Sequence, residues 1–492
     1  MKNSIKHILL FAALAAVSCE NWLDVTPPSE IRDEDHYSTA EGFQQTLLGC
    51  YIAMTKADLY GENLTWHMTD MLGRQYDARK NSAADDYALD RYNYAAAKSV
   101  AVIERIWEKS YSVITNANEA LIYIDRNKER LDSVNYRMIK GELLAVRAYL
   151  HFDLMRLFGC SNLAGRSDLE SRHTIPYSTA VEKDAAPQLT YAETIRNLVT
   201  DLTEAARLLE IDPVRSKYPA DLFAEANIDG FYDYREQHLN YYAVKALLAR
   251  AYWTMNDLEK AEGYAQEVID SGKFPLKTTA GAWNSLETGT LDMQETVVGL
   301  YSTTFTYYYY FDLIRSSTSM GSMKLAEQYT SIFEADQEGN ADRRYVAWFD
   351  RNNNWCTKHY NVMYASSNDS GSTATYNGNS IPGVSLIRIP EMYYIVAEAN
   401  LTKDPDKATE YLDYVVTSRD QTAFADREAG KITEENIFND RRKEFFADGD
   451  DFHNMKRLAR DLTISGMGTF AGNDDATYTM PIPASVEDNY RQ

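Results

Sequence analysis

At 492 residues, with 45% apolar and 25% charged side chains, the chain has the composition of an ordered protein. It is long enough for two or three core-sized units, or for one elongated helical scaffold carrying insertions. A net charge of −23 excludes nucleic acid and anionic lipid as direct partners, since both reward Lys and Arg. Tyrosine is abundant, at 36 residues, and its broad ring with a polar handle suits core packing first and half-polar ligands second.

Lys2 and Lys6 precede an apolar run from Ile8 to Val17, too short to span a bilayer and suited to a signal-peptide core, so residues 1–18 are expected to be removed. Ala16-Val17-Ser18-Cys19 resembles the lipobox of bacterial lipoproteins. Acylation of Cys19 would then anchor the chain at a membrane face by about 0.8 kcal/mol per buried methylene. Residues 19–37, with Pro27-Pro28, form an extended lead-in. Cys50, Cys160 and Cys356 are odd in number and widely spaced, so they fit neither a disulfide framework nor a zinc site and read as small buried apolar residues.

Ser38-x-x-Glu41 predicts a capping box opening a helix through about Ala57. From Tyr60 to Ser99 neither a helical nor a strand period holds, and Trp66, Arg74, Tyr76, Tyr87, Tyr92 and Tyr94 fall in this stretch. Long irregular segments inside compact proteins are more often functional than idle. Helical periods return at Val100–Arg126 and Asn135–Phe158, the second stopped by Gly159. His151 reads as a helix residue with a hydrogen-bond partner. Ile175-Pro176-Tyr177 is extended, and Thr190-x-x-Glu193 is a second capping box, opening a helix through Leu209.

Leu239 to Leu276 carries Leu248, Ala249, Tyr252, Ala261 and Ala265 at the large, small and aromatic positions of a 34-residue tetratricopeptide repeat, with the reversal at Asn256-Asp257. Small residues let the two helices approach, and neighbouring pairs are needed to bury the remaining face. Residues 276–382 lose the helical period. Glu295 to Tyr301 reads as a short strand, and a run of four tyrosines lies between Phe305 and Phe311. Asp336, Glu338, Asn340 and Asp342 alternate like a calcium loop, but Ala341 and Ala347 stand where glycine and glutamate are required, which favours a solvated loop. From Ile387 a second repeat-like pair begins, with Asp404-Pro405 at its reversal and Ala408 at the small position. The run Asn439 to Phe446, then Phe452, Lys456-Arg457-Leu458 and Pro481-Ile482-Pro483, follows.

These residues together resemble the SusD/RagB outer-membrane lipoproteins of Bacteroidetes. The likeness runs through Cys19 with Trp22-Leu23-Asp24, Ile106-Trp107, Gly141-Glu142, Arg147-Ala148-Tyr149, Phe158-Gly159, Leu247-Leu248-Ala249-Arg250, Arg388, Ala397-Glu398-Ala399, Arg441-Arg442-Lys443-Glu444-Phe445-Phe446 and Pro481-Ile482-Pro483. His453-Asn454-Met455 and Ser418-Arg419-Asp420 depart from the usual pattern. The resemblance implies a mainly α fold, a tetratricopeptide-like scaffold of about four helix pairs with an irregular, loop-rich insertion subdomain. It divides the chain into an N-terminal region at 38–275, a variable ligand-binding subdomain at 276–382 and a C-terminal helical region at 383–492. It further implies a cell-surface lipoprotein that binds an oligosaccharide or polysaccharide and acts as the lid of a TonB-dependent outer-membrane transporter, without a cofactor or bound metal. Its membrane contact would be the lipid anchor alone. By region, the implied ligand residues are Trp66, Arg74, Tyr76, Tyr92, Tyr94, Trp283, Tyr307, Tyr308, Tyr309 and Trp348.

The sequence carries no HExxH, GxSxG or GxxxxGK motif, so binding without catalysis is the leading expectation. Rings would stack on sugar faces while carboxylates, amides and Arg74 meet hydroxyls. The competing class is a helical-repeat scaffold that docks proteins, or a binder of peptides or other nutrients in the same complex.

Overall fold

The computed structural model describes residues 33–77, 82–181, 186–215, 223–277, 291, 294–305, 332–333, 342–350, 355–356, 358–359, 382–428, 430–464 and 467–486. Helix α1 (Ala40–Met54) starts on Thr39, whose hydroxyl accepts from the Gly42 amide. Ser38, the cap expected from the Ser38-x-x-Glu41 spacing, instead donates to the Asp35 carbonyl at 2.7 Å. Two adjacent hydroxyls compete for one cap, and Thr39 takes it because its backbone enters extended, at φ −131° and ψ 160°. A five-residue helix, α2 (Met68–Leu72), lies within the first irregular segment.

Helix α3 (Ala97–Arg126) is followed by α4 (Ser133–Phe158), which opens on Asp132 and is buried on nearly every side. A helix buried all round belongs at the centre of a stack, and its buried Glu142, Arg147, Asp153 and Arg156 are held in ion pairs there. Gly159 ends it as expected, where a Cβ would meet the Tyr191 hydroxyl at 1.9 Å. Strands β1 (His173–Pro176) and β2 (Gln188–Thr190) pair antiparallel and lead into α5 (Tyr191–Leu208), which has both arms of the Thr190–Glu193 capping box. His151 is a satisfied core residue. Its Nδ1–H donates to the Arg147 carbonyl at 2.9 Å, its Nε2 accepts from the Ser178 amide at 3.0 Å, and its ring stacks on Tyr177 at 3.9 Å. Burial holds its pKa down at about 3, so the imidazole is neutral.

Helices α6 (Tyr241–Thr254) and α7 (Leu258–Asp270) form the expected repeat pair. Asn256 turns the chain at φ 62°, and Asp257 caps α7. Leu248, Ala249, Ala261 and Ala265 are buried between the helices, while half-buried Tyr252 stacks on Tyr264 with ring centroids 5.7 Å apart. The chain then leaves the scaffold along β3 (Thr296–Tyr301), passes α8 (Arg343–Trp348) and the short ladder of β4 (Phe349–Asp350) and β5 (Trp355–Cys356), and returns along β6 (Gly383–Arg388). β3 and β6 are antiparallel, Thr296 opposite Arg388 and Tyr301 opposite Gly383, so exit and return share one stalk.

Helix α9 (Pro390–Asn400) packs on α7 across the inserted residues, and α10 (Pro405–Ser418), capped by Asp404 with Pro405 at its first position, packs on α9. Helices α1, α3, α4, α5, α6, α7, α9 and α10 therefore pack in that order, each on the next, as four pairs. This is a mainly α, tetratricopeptide-like scaffold. Helices α11 (Glu434–Glu444) and α12 (Asp451–Arg457) and the hairpin of β7 (Leu462–Ile464) and β8 (Gly468–Phe470) complete it. Cys50, Cys160 and Cys356 are buried. No helix among the described residues is long and apolar enough to cross a membrane.

Candidate functional site

The first irregular segment is built from the inside out. Trp66 is fully buried and donates Nε1–H to the Gly61 carbonyl at 3.2 Å, and Tyr76 donates to the Trp66 carbonyl at 2.8 Å. Tyr92 donates to the Leu72 carbonyl at 2.6 Å, and Tyr94 to that of Thr477 at 2.8 Å. Backbone without a ladder must find other partners, and here tyrosine and tryptophan handles supply them. Arg74, at φ 59°, pairs with Asp90 at 2.8 Å and lies 5.0 Å from the centre of the Tyr92 ring. These five residues were expected to face ligand; they form instead the buried core of their own loop, and no ring face among them is open for stacking in this conformation. The half-buried aromatic of the segment is Tyr87, covered on one side by the Arg91 guanidinium at 3.5 Å. His67 sits between Glu62 (3.1 Å) and Asp86 (3.3 Å). Burial alone would lower its pKa, but the two carboxylates raise it to about 9.

The second irregular segment is held in a similar way. Trp348, expected as a stacking platform, is buried, and the Lys358 ammonium lies 4.4 Å from its ring centre. Trp283 and Tyr307, Tyr308 and Tyr309 lie outside the described residues, as do Cys19, Asp336, Glu338 and Asn340. Asp342 is committed to Arg344: one oxygen accepts from its amide and Nε at 3.0 Å, the other pairs with Nη2 at 2.9 Å. It is thereby withdrawn from any calcium loop.

Both segments converge on residues 440–451. The buried Phe446 ring meets Tyr76 of the first segment at 5.4 Å and Phe349 of the second at 5.0 Å, both edge-on. From the first side, Asp70 accepts the Gly449 amide at 2.9 Å, Gln75 accepts that of Ala447 at 3.0 Å, and Arg442 donates to the Gly73 carbonyl at 3.0 Å. From the second, Lys358 donates to the Phe446 carbonyl at 2.9 Å and to Asp448 at 2.7 Å, while His359 meets the Ala447 carbonyl at 2.9 Å.

Beneath this meeting point Glu444, wholly buried, takes three guanidiniums: Arg388 at 2.6 Å, Arg419 at 2.9 Å and Arg344 at 3.2 Å. Burial would raise its carboxyl, but those cations hold it well below the usual range. Arg419 also grips Glu295 at 2.8 and 2.9 Å, and Arg344 pairs with Asp440 at 2.7 Å. The network ties the β3–β6 stalk, α8, α10 and α11 into one block. Sequence reasoning noted the charged run before Phe446 on a helix, gave it no role and missed this junction. The available signal was an Arg-Arg-Lys-Glu run leading directly into two phenylalanines, since paired charge beside large apolar rings points to burial. Among the described residues no cluster of His, Cys, Asp and Glu is placed to hold a metal.

Comparison with known proteins bears on this arrangement. A family model described as starch-binding associating with outer membrane matches residues 21–221, and the SusD family model matches residues 300–484. The SusD-like protein P38 of Formosa agariphila is 25% identical over 285 residues, 58% of this chain, and the match spans 48% of that relative's length. Among solved structures, a SusD superfamily protein from Bacteroides thetaiotaomicron superposes with a TM-score of 0.68 at 20% identity, covering 92% of this chain and 98% of its own. A SusD-like carbohydrate binding protein from Bacteroides vulgatus gives 0.70 at 17% identity, covering 92% and 97%. Surface glycan-binding protein A from Bacteroides uniformis gives 0.60 at 17%, covering 91% and 95%. At these identities the structural likeness shows the fold.

Proposed function

Because this chain belongs to the SusD/RagB family, we propose that it captures an oligosaccharide at the cell surface, bound between its two irregular segments, and passes it to a TonB-dependent outer-membrane transporter on which it acts as a lid. The observation that carries the reading is the convergence of the two segments on Phe446. Pieces of chain nearly three hundred residues apart are locked to one rigid support, which is how a scaffold positions binding loops. The stacking rings are sought at Tyr87 in the first segment and, from the sequence, at Trp283, Tyr307, Tyr308 and Tyr309 in the second. The buried Trp66, Tyr76, Tyr92, Tyr94 and Trp348 act by holding the segments in shape. The helix pairs serve as the platform that docks on the transporter, and acylated Cys19 supplies the anchor.

Native gels cast with a panel of polysaccharides test the reading on the full chain. Retardation by at least one glycan, weakened by Trp283→Ala or Tyr87→Ala with unchanged melting, supports it. Retardation by none, together with binding of peptides, transfers the function to a peptide or protein-docking class. Release of reducing sugar by the purified protein overturns binding without catalysis.

A further inference from the structure

A second surface, on the outward face of α10, has the chemistry of a sugar site. On α10, Asp406, Glu410, Asp413, Tyr414 and Thr417 recur at helical spacing and share one outward face. In a stack of helix pairs that outer face normally carries solvated polar side chains. Here it is walled. The Asp413 carboxylate accepts the amides of Phe424 at 2.5 Å and Ala425 at 3.1 Å, and the Thr409 hydroxyl accepts that of Ile432 at 3.4 Å. The chain after α10 is thereby folded back along the helix, leaving a broad, largely open groove of about 400 Å³ beside it.

The lining of the far wall is small. Ala425 leaves room, and Gly430, at φ 64°, has open space where a Cβ would stand. The near wall is a large ring. Tyr414 is 45% exposed and is held edge-on by Tyr411 at 5.6 Å and Tyr393 at 6.0 Å, with its hydroxyl donated to Glu410 at 2.5 Å. An isolated exposed ring needs no account. A ring fixed by two others, beside carboxylates that keep unused lone pairs, is a flat apolar platform with hydroxyl acceptors at its edge. Asp406 pairs with Lys431 at 3.2 Å, and both are exposed, so the groove stays acidic.

We propose that this α10 groove is a second binding site, selective for a neutral sugar chain and closed to uronate or sulfated sugars by its carboxylates. A C–H face of one ring lies on Tyr414, and hydroxyls donate to Glu410 and Asp413. The inference rests on the glycan-binding reading above but uses none of its residues. Its place on the last helix pair would give the protein a foothold on a long polymer separate from the captured segment.

Calorimetric titration of the full chain with neutral hexasaccharides (gluco-, manno- and galacto-configured) and with oligogalacturonate tests it. The expected result is two sites for one neutral probe in the parent protein. Tyr414→Ala loses one, its affinity falling about tenfold or more; Tyr414→Phe keeps both, and thermal melting is unchanged in each variant. Binding of a neutral probe that is identical in Tyr414→Ala sinks the second site and leaves the first standing. Oligogalacturonate binding that Tyr414→Ala weakens equally overturns the selectivity for neutral sugar. If no probe binds the parent at all, the glycan-binding reading fails and takes the groove with it.

Discussion

The α6–α7 pair and the junction around Glu444 are both buried, yet they are made of opposite materials. Between α6 and α7 the contacts are Leu248, Ala249, Ala261 and Ala265, which need only the right volume. Around Glu444 they are guanidiniums and carboxylates that need the right partner in the right place. Apolar packing degrades by increments, whereas a buried ion network loses a charge's whole compensation when one member goes. The α6–α7 contact can thus accept volume-conserving changes that the junction beneath the two irregular segments cannot.

The largest effect that would sharpen this contrast is expected at Glu444. Glu444→Gln removes the carboxylate that three arginines share, leaving Arg419 to Glu295, Arg344 to Asp342 and Asp440, and Arg388 to Asp448, and should destabilise by about 3–5 kcal/mol in urea unfolding; a loss under 1 kcal/mol would mean that the network holds nothing together. In the scaffold, Leu248→Ala should cost about 2–4 kcal/mol through the cavity it leaves, without altering protease resistance of the segment between β3 and β6. Phe446→Ala should do the reverse: its local signature is faster proteolysis of both irregular segments, and cleavage of only one would break the idea of a shared support.

The pH predictions follow from two buried groups. Glu142 on α4 is wholly buried; burial would raise its pKa, but Arg235 and His238 lower it to about 2. Its stabilisation is therefore present above the unfolded value near 4.5 and lost as pH falls through about 2. His67, raised to about 9, stabilises the first segment fully below about 6.5 and loses this as pH rises through 9. Melting temperature followed from pH 6.5 to 9.5 should drop in the parent and less in His67→Gln. The smallest stability effect, within about 0.5 kcal/mol, is expected for Tyr87→Ala, which should reveal itself only in glycan retardation.

What was legible in the sequence was local. Asn256-Asp257, Asp404-Pro405 and Thr190-x-x-Glu193 act within one turn of chain, and each does what its spacing predicts. Ser38 failed as a cap because its neighbour Thr39 offers the same chemistry, and only backbone entry decides between them. Trp66, Tyr76, Tyr92 and Tyr94 were expected to face ligand, and in the structure they turn into their own segment. An irregular backbone exposes carbonyls that their polar handles can satisfy, and a residue count cannot say that Tyr94 will find Thr477. The run before Phe446 hinted at a buried charge, but the partners of Glu444 were illegible for the same reason, since Arg344, Arg388 and Arg419 come from three separated stretches.

The bond from Tyr94 to Thr477 joins residues 383 positions apart. The ribosome delivers chain from the N-terminus, and domains ordinarily close as they emerge. Here the first irregular segment lacks part of its floor until Thr477 arrives, so its completion is a late event whatever the early helices do. A chain built this way closes its first irregular segment only when residues near both ends of the fold have met.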